Sequence, residues 1–175
     1  MQTELMGEMD LLGPDGRIVK EGWSRGPAWR YDRAMVRGGP LRIKEWDYYS
    51  VLSRGGRFGL TLTMSDLGYA GLFALCFLDF ERRFFHQVDT LSAFPLGRTG
   101  FPSGSDSGTV AFGDGTLFLQ FSVEGGRRTL EFNAAGMKDA LGGTGLEGRI
   151  VLEQPDGLQS MNIATSWAEN RRAFY

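Results

Sequence analysis

Two aspartates in this chain stand where acid–base chemistry would need them. Asp47 lies in the segment Leu41 to Ser53, flanked by Trp46 and Tyr48, and Asp79 closes the apolar run Tyr69 to Phe80. A carboxyl group held in an apolar cavity ionises less readily than in water. That keeps it protonated closer to neutral pH, as a general acid requires. The alternative for Asp47 is an ordinary structural role, paired with an arginine or capping a backbone group. For Asp79 the alternative is a strand mouth, paired with Arg82 or Arg83. Trp46, Tyr48, Tyr69 and Trp167 could line a ligand pocket, and the π-faces of Trp46, Tyr48 or Tyr69 could steady a cation. Aromatic residues on strands also commonly serve as plain core.

Other chemistry finds little support. His86 is the one histidine and Cys76 the one cysteine, so neither a structural zinc site nor an internal disulfide is expected. His86 sits beside two phenylalanines and reads as a packed or strand-end residue. Cys76 lies in an apolar run and reads as a small buried hydrophobe. No G-x-S-x-G elbow is present. Gly143, Gly145 and Gly148 match G-x-G-x-x-G, but a strand and turn follow them, so they read as a loop and not as a dinucleotide site. Asp66, two residues before Gly68, reads as a turn residue bonding the backbone two positions on. No cofactor is expected.

The elements that would carry these residues are strands. Phe58, Leu60, Leu62 and Met64 alternate with Gly59, Thr61 and Thr63, the period of a half-buried antiparallel strand. Tyr69 to Phe80 is apolar on both faces, as in a strand covered on both sides. Leu91 to Gly108 reads as a long loop. Strands resume at Val110, at Leu117 to Val123, at Arg128 to Phe132, at Ile150 and at Met161 to Thr165. Gly125-Gly126 marks a hairpin. Ala134 to Leu141 could form a turn or two of helix. Residues 1–40 read as an irregular covering arm, with a turn at Gly13 to Gly16, ahead of a β domain over 41–175. About nine strands joined by tight turns predict an all-β fold, an antiparallel up-and-down meander closed as a lipocalin-like barrel or folded as a strongly bent sandwich. A barrel of about eight strands can hold one small ligand.

Composition sets further bounds. The 175 residues suffice for one ordinary domain with a core of its own. Glycine is abundant at 26 residues, without a collagen period, and aromatic residues make up 13%. A net charge of −2 does not fit a nucleic-acid partner. The pairs Arg82-Arg83, Arg127-Arg128 and Arg171-Arg172 read as solvated strand ends. No apolar run is long enough for a membrane helix, and the acidic N-terminus lacks the pattern of a signal peptide. A soluble cytoplasmic protein is the default expectation.

The segments RIKEWDYYSVLS and FGLTLTMSDLGYAGLFALCFLDFERR resemble a mainly bacterial family, domain of unknown function 2804. The matching residues are Trp46, Asp47, Tyr48, Asp66, Leu67, Gly68, Tyr69, Ala70, Gly71, Leu78, Asp79 and Phe80, and the resemblance runs from about Leu41 onward. It implies that this chain corresponds to the N-terminal half of a longer pattern. A second β domain or a homodimer would then be its partner. More remotely, the pattern is similar to tandem lipocalin-like proteins such as carotenoid hydratases and tocopherol cyclase.

Three functions follow as expectations. The domain binds an apolar small molecule, or it is an acid-catalysed hydratase, cyclase or isomerase of a terpenoid or lipid-like substrate, or it is a structural half packing on a partner. Alternation places Trp46 and Asp47 on opposite faces of one strand. From that rule alone they should not line the same cavity.

Overall fold

A computed structural model describes residues 3–155 and 157–175. The N-terminal arm carries three short strands, β1 (Met9–Asp10), β2 (Gly22–Ser24) and β3 (Trp29–Arg30), then a single 3-10 turn at Arg33–Met35. Two four-stranded antiparallel meanders follow. The first comprises β4 (Glu45–Leu52), β5 (Phe58–Asp66), β6 (Ala70–Asp79) and β7 (Phe84–Ala93). The second comprises β8 (Gly108–Gly113), β9 (Phe118–Glu124), β10 (Arg127–Lys138) and β11 (Thr144–Glu153). A last strand, β12 (Asn162–Ala164), pairs with β2. The fold is all-β with antiparallel sheets, and no closed barrel is found among the described residues.

The period of two places one face of each meander in a shared core. Leu62 and Met64 of β5, with Phe73 and Leu75 of β6, meet Leu119 and Phe121 of β9 and Leu130 and Phe132 of β10. Phe73 stacks on Phe112 with ring centroids 3.6 Å apart, which ties the two sheets together. Leu62, Met64, Leu75, Leu119 and Leu130 are fully buried, so side chains fill the space between the sheets. The outer side of the first sheet differs. Small residues there, Ala74 and Cys76, are buried along the centre, while Trp46, Tyr48, Leu52, Phe85 and Leu91 stand exposed on the flanking strands.

Local chemistry explains the connections. Gly125 and Gly126 both have positive φ, 56° and 76°, as a two-residue turn between twisted strands demands. The turn at Gly13 to Gly16 closes as expected, with the Gly16 N–H donating to the Gly13 carbonyl at 2.9 Å. Several expectations need correction. The long loop starts at Phe94, because β7 runs to Ala93. Ala134 to Leu141 is not helical. β10 continues to Lys138 through a register shift between Ala134 and Lys138. The G-x-G-x-x-G glycines belong largely to β11, where the bare Cα of Gly148 makes room for Phe132. A Cβ there would lie 2.9 Å from that ring. Met161 to Thr165 does not extend the meander, since β12 pairs with the arm.

Arm and C-terminal segment are in fact one unit. Leu5, Leu12, Ile18, Ala28 and Ala164 are buried but stand apart from the main core. The Ile18 N–H donates to the Arg171 carbonyl at 3.1 Å, and the hydroxyl of Ser166 donates to Glu21. Thr165 and Tyr175 exchange two backbone hydrogen bonds of 2.9 Å. This unit docks on the first sheet through Glu45, which accepts a hydrogen bond from the Tyr31 hydroxyl at 2.6 Å and pairs with Arg33. Burial and that bond to Glu45 push the Tyr31 phenol far above its usual range.

Candidate functional site

An open cleft of about 1380 Å³ lies where the edge strand β4, the second sheet and the arm–tail unit meet. Its apolar walls include Val110, Phe121 and Val123 from the second sheet, Phe101 from the loop at 94–107, and Ile163 and Trp167 from the tail. That loop is held by Asp66. The Asp66 side chain is fully buried and accepts from the Gly68 N–H at 2.9 Å, as expected of a turn aspartate. Its second oxygen accepts from the Gly97 N–H at 2.6 Å and from the Thr99 hydroxyl at 3.2 Å. One carboxylate therefore joins the β5–β6 turn to the loop that supplies Phe101.

Asp47 faces this cleft. Along β4, Glu45, Asp47, Tyr49 and Val51 are half-buried, while Trp46, Tyr48, Ser50 and Leu52 are exposed. Burial raises the carboxyl of Asp47 above the usual carboxylate range, against the opposing pull of the positive charge on Arg128. Among the described residues Asp47 makes neither an ion pair nor a side-chain hydrogen bond. Two positions on, the Tyr49 hydroxyl accepts from the Arg128 guanidinium at 3.3 Å, and the Tyr49 ring meets Phe121 edge-on at 4.9 Å. Burial also raises the phenol of Tyr49, with Arg128 acting against it. Arg128 donates a second hydrogen bond, to the Ser105 carbonyl at 2.6 Å.

Trp46 lines the same cleft as Asp47, contrary to the expectation from alternation. Opposite faces separate two side chains only where the strand has neighbours on both sides. β4 pairs with β5 alone, so the tail reaches around its open edge. Tyr175 then stacks on Trp46, ring centroids 5.5 Å apart. Trp167 also lines the cleft, while Tyr48 and Tyr69 do not. Tyr69 lies beneath the Lys44 ammonium, 4.3 Å from its ring centroid.

Asp79 is elsewhere. It accepts from the Arg82 N–H at 2.9 Å and pairs with the Arg82 guanidinium at 3.2 Å, and the backbone bond leads in holding its carboxyl below the usual range. Register pairs Asp47 with Met64 and Met64 with Phe73, six residues along β6 from Asp79. At about 3.3 Å per residue that is roughly 20 Å along the sheet. The two carboxylates do not form a pair. His86 is packed as expected, its Nδ1 accepting from the Lys138 N–H at 3.3 Å. Among the described residues no group of three or more His, Cys, Asp or Glu could hold a metal ion, and no helix is long and apolar enough to cross a membrane.

The residue that sequence reasoning missed is Arg128. The pair Arg127-Arg128 reads as a solvated strand end, and Arg127 is one, paired with Glu153 at 2.8 Å. Arg128 shares the inner face with Leu130 and Phe132, a signal already present in the alternation. The model of the family described as Domain of unknown function (DUF2804) matches residues 2–175. The chain belongs to this family. The match takes in the N-terminal arm as well as the β domain, consistent with an arm that builds one wall of the cleft. No curated protein and no solved structure was found to match the chain.

Asp47 makes a testable contribution to stability. Its folded-state carboxyl holds a proton more tightly than the unfolded one, so below the ordinary carboxylate range the group is protonated in both states. As pH rises through the raised folded value, ionisation costs more in the folded state and stability falls. Asp47→Asn is expected to remove that decline and to raise the thermal midpoint at neutral pH relative to the parent. Thermal unfolding followed by circular dichroism across this range checks it, and an unchanged pH profile would contradict the burial of the carboxyl.

Proposed function

We propose that this DUF2804 protein binds a largely apolar small molecule in the cleft beside β4. The observation that carries this reading is the cleft itself. It is larger than the roughly 300–1,000 Å³ of typical ligand sites, and its aromatic and aliphatic wall of Phe101, Val123, Ile163 and Trp167 is bordered by charged residues of the arm, β4, β10 and the tail. In this reading the two sheets act as a strongly bent sandwich of lipocalin-like form. The ligand lies at its β4 side rather than between the sheets, where side chains leave no room. Native mass spectrometry of the purified chain is expected to show a bound small molecule that organic extraction releases. Trp167→Ala, which strips an exposed indole from the wall, is expected to lower the bound fraction severalfold. A protein that carries no ligand and takes none up from a lipid extract would overturn the proposal.

A second reading makes Asp47 a proton donor to a bound terpenoid or lipid-like substrate. What favours it is the desolvated carboxyl facing the cleft, free of hydrogen bonds from other side chains among the described residues. In that case Asp47→Asn abolishes turnover of the bound molecule while retaining its binding. A bound molecule recovered chemically unchanged after prolonged incubation counts against this second reading.

A further inference from the structure

Of the bases that line the cleft, Arg128 is half-buried while Arg30, Arg37, Arg42, Lys44 and Arg172 are exposed. Arg128 rises from the inner face of β10, on the same side as Leu130 and Phe132. Both hydrogen bonds that hold it go to neutral acceptors, the Tyr49 hydroxyl and the Ser105 carbonyl. Among the described residues no carboxylate comes within ion-pair distance of it. Asp47 acts on it only through space. A guanidinium has five N–H donors, and these two bonds leave three. A charge set against an apolar core without a counter-ion is costly, so the site favours whatever anion completes it.

We infer that Arg128 and Tyr49 form the pole of the cleft that receives a carboxylate, and that the ligand is an amphipathic acid with its apolar body along Phe101, Val123, Ile163 and Trp167. This inference rests on the cleft being a ligand site. The planar fork of arginine matches a carboxylate in both spacing and charge. With the Asp47 carboxyl beside it, the Arg128 guanidinium suits a single negative charge better than the double charge of a phosphate. Tyr49 is braced edge-on by Phe121, which fixes its hydroxyl and, through it, the plane of the guanidinium.

The test compares a fluorescent long-chain polyene fatty acid with the primary alcohol of the same chain, titrated into the full chain. The acid is expected to bind about ten- to a hundredfold more tightly, the usual effect of a hydrogen bond to a charged partner. Arg128→Gln is expected to bring the acid down to the affinity of the alcohol and to leave the alcohol unchanged. Tyr49→Phe removes one hydroxyl and gives a smaller loss in the same direction. Asp47→Asn removes the nearby negative charge and is expected to strengthen acid binding. Should Arg128→Gln fail to fold by circular dichroism, the Tyr49→Phe and Asp47→Asn variants carry the comparison. Equal affinities for acid and alcohol, untouched by these changes, would overturn the carboxylate pole and leave the apolar cleft standing. Binding of neither probe would overturn both.

Discussion

Gly68→Ala is expected to lower stability by about 3 kcal/mol or more, a fall in thermal midpoint of about 10 °C for a chain of this size. Gly68 has φ +81°, in the left-handed region, where an L-side chain costs roughly 1–2 kcal/mol. The space is also taken. A Cβ at Gly68 would stand 2.4 Å from the Pro40 carbonyl oxygen and 2.8 Å from the Leu41 Cα, both of them backbone atoms that cannot swing aside. The β5–β6 turn and the junction between arm and β4 would have to separate. Gly55 supplies the control. Its φ is +86°, but nothing lies within 4 Å of a Cβ, so Gly55→Ala should cost only about 1–2 kcal/mol. Equal losses at the two glycines, measured by urea unfolding, would show that the close approach at Pro40 contributes nothing.

Asp66→Ala is expected to cost about 2–4 kcal/mol. The substitution strands the buried N–H of Gly68 and the half-buried N–H of Gly97 and frees the Thr99 hydroxyl. A donor left unpaired in the interior loses its bond and keeps the cost of its desolvation. The consequence extends to function, because Gly97 and Thr99 lie in the loop that carries Phe101 and Ser105 to the cleft. Faster amide exchange at Gly97 and weaker ligand binding should accompany the lost stability. Asp66→Asn keeps one acceptor oxygen and should fall between parent and alanine variant. Asp66 and Gly68 share a hydrogen bond, so the double variant should lose less than the two single losses together.

Some of this was legible residue by residue. Alternation from Phe58 to Met64 identified the inner face of β5, because a pleated strand has no other way to segregate apolar from polar side chains. The same alternation set Asp47 and Trp46 on opposite faces of β4, and the structure shows Asp47 on the half-buried one. The spacing of Asp66 and Gly68 announced a turn, since an aspartate reaches the N–H two residues on. Where strand reading failed, a long-range partner had overridden local preference. Ala134 to Lys138 has the composition of a helical turn, but pairing with β11 keeps it extended through a register shift. Gly143 to Gly148 reads as a loop until Phe132 shows why a strand would need Gly148.

By itself, the sequence determined the all-β class, the antiparallel hairpins and the placement of Trp46 and Asp47 on opposite faces of one strand, because each depends on neighbours within a few residues or on a period of two. Only the tertiary structure decided which end strands lie open. It set β4 at an edge, bent the tail around that edge until Tyr175 met Trp46, and so brought Trp46 and Asp47 to one cleft. It also turned Arg128 from an apparent surface charge into a charge facing Tyr49 across the gap between two sheets. These are contacts between residues far apart in the chain, Tyr49 with Arg128 and Trp46 with Tyr175. No local periodicity carries that information, since it depends on how the sheets and the chain's two ends pack against one another.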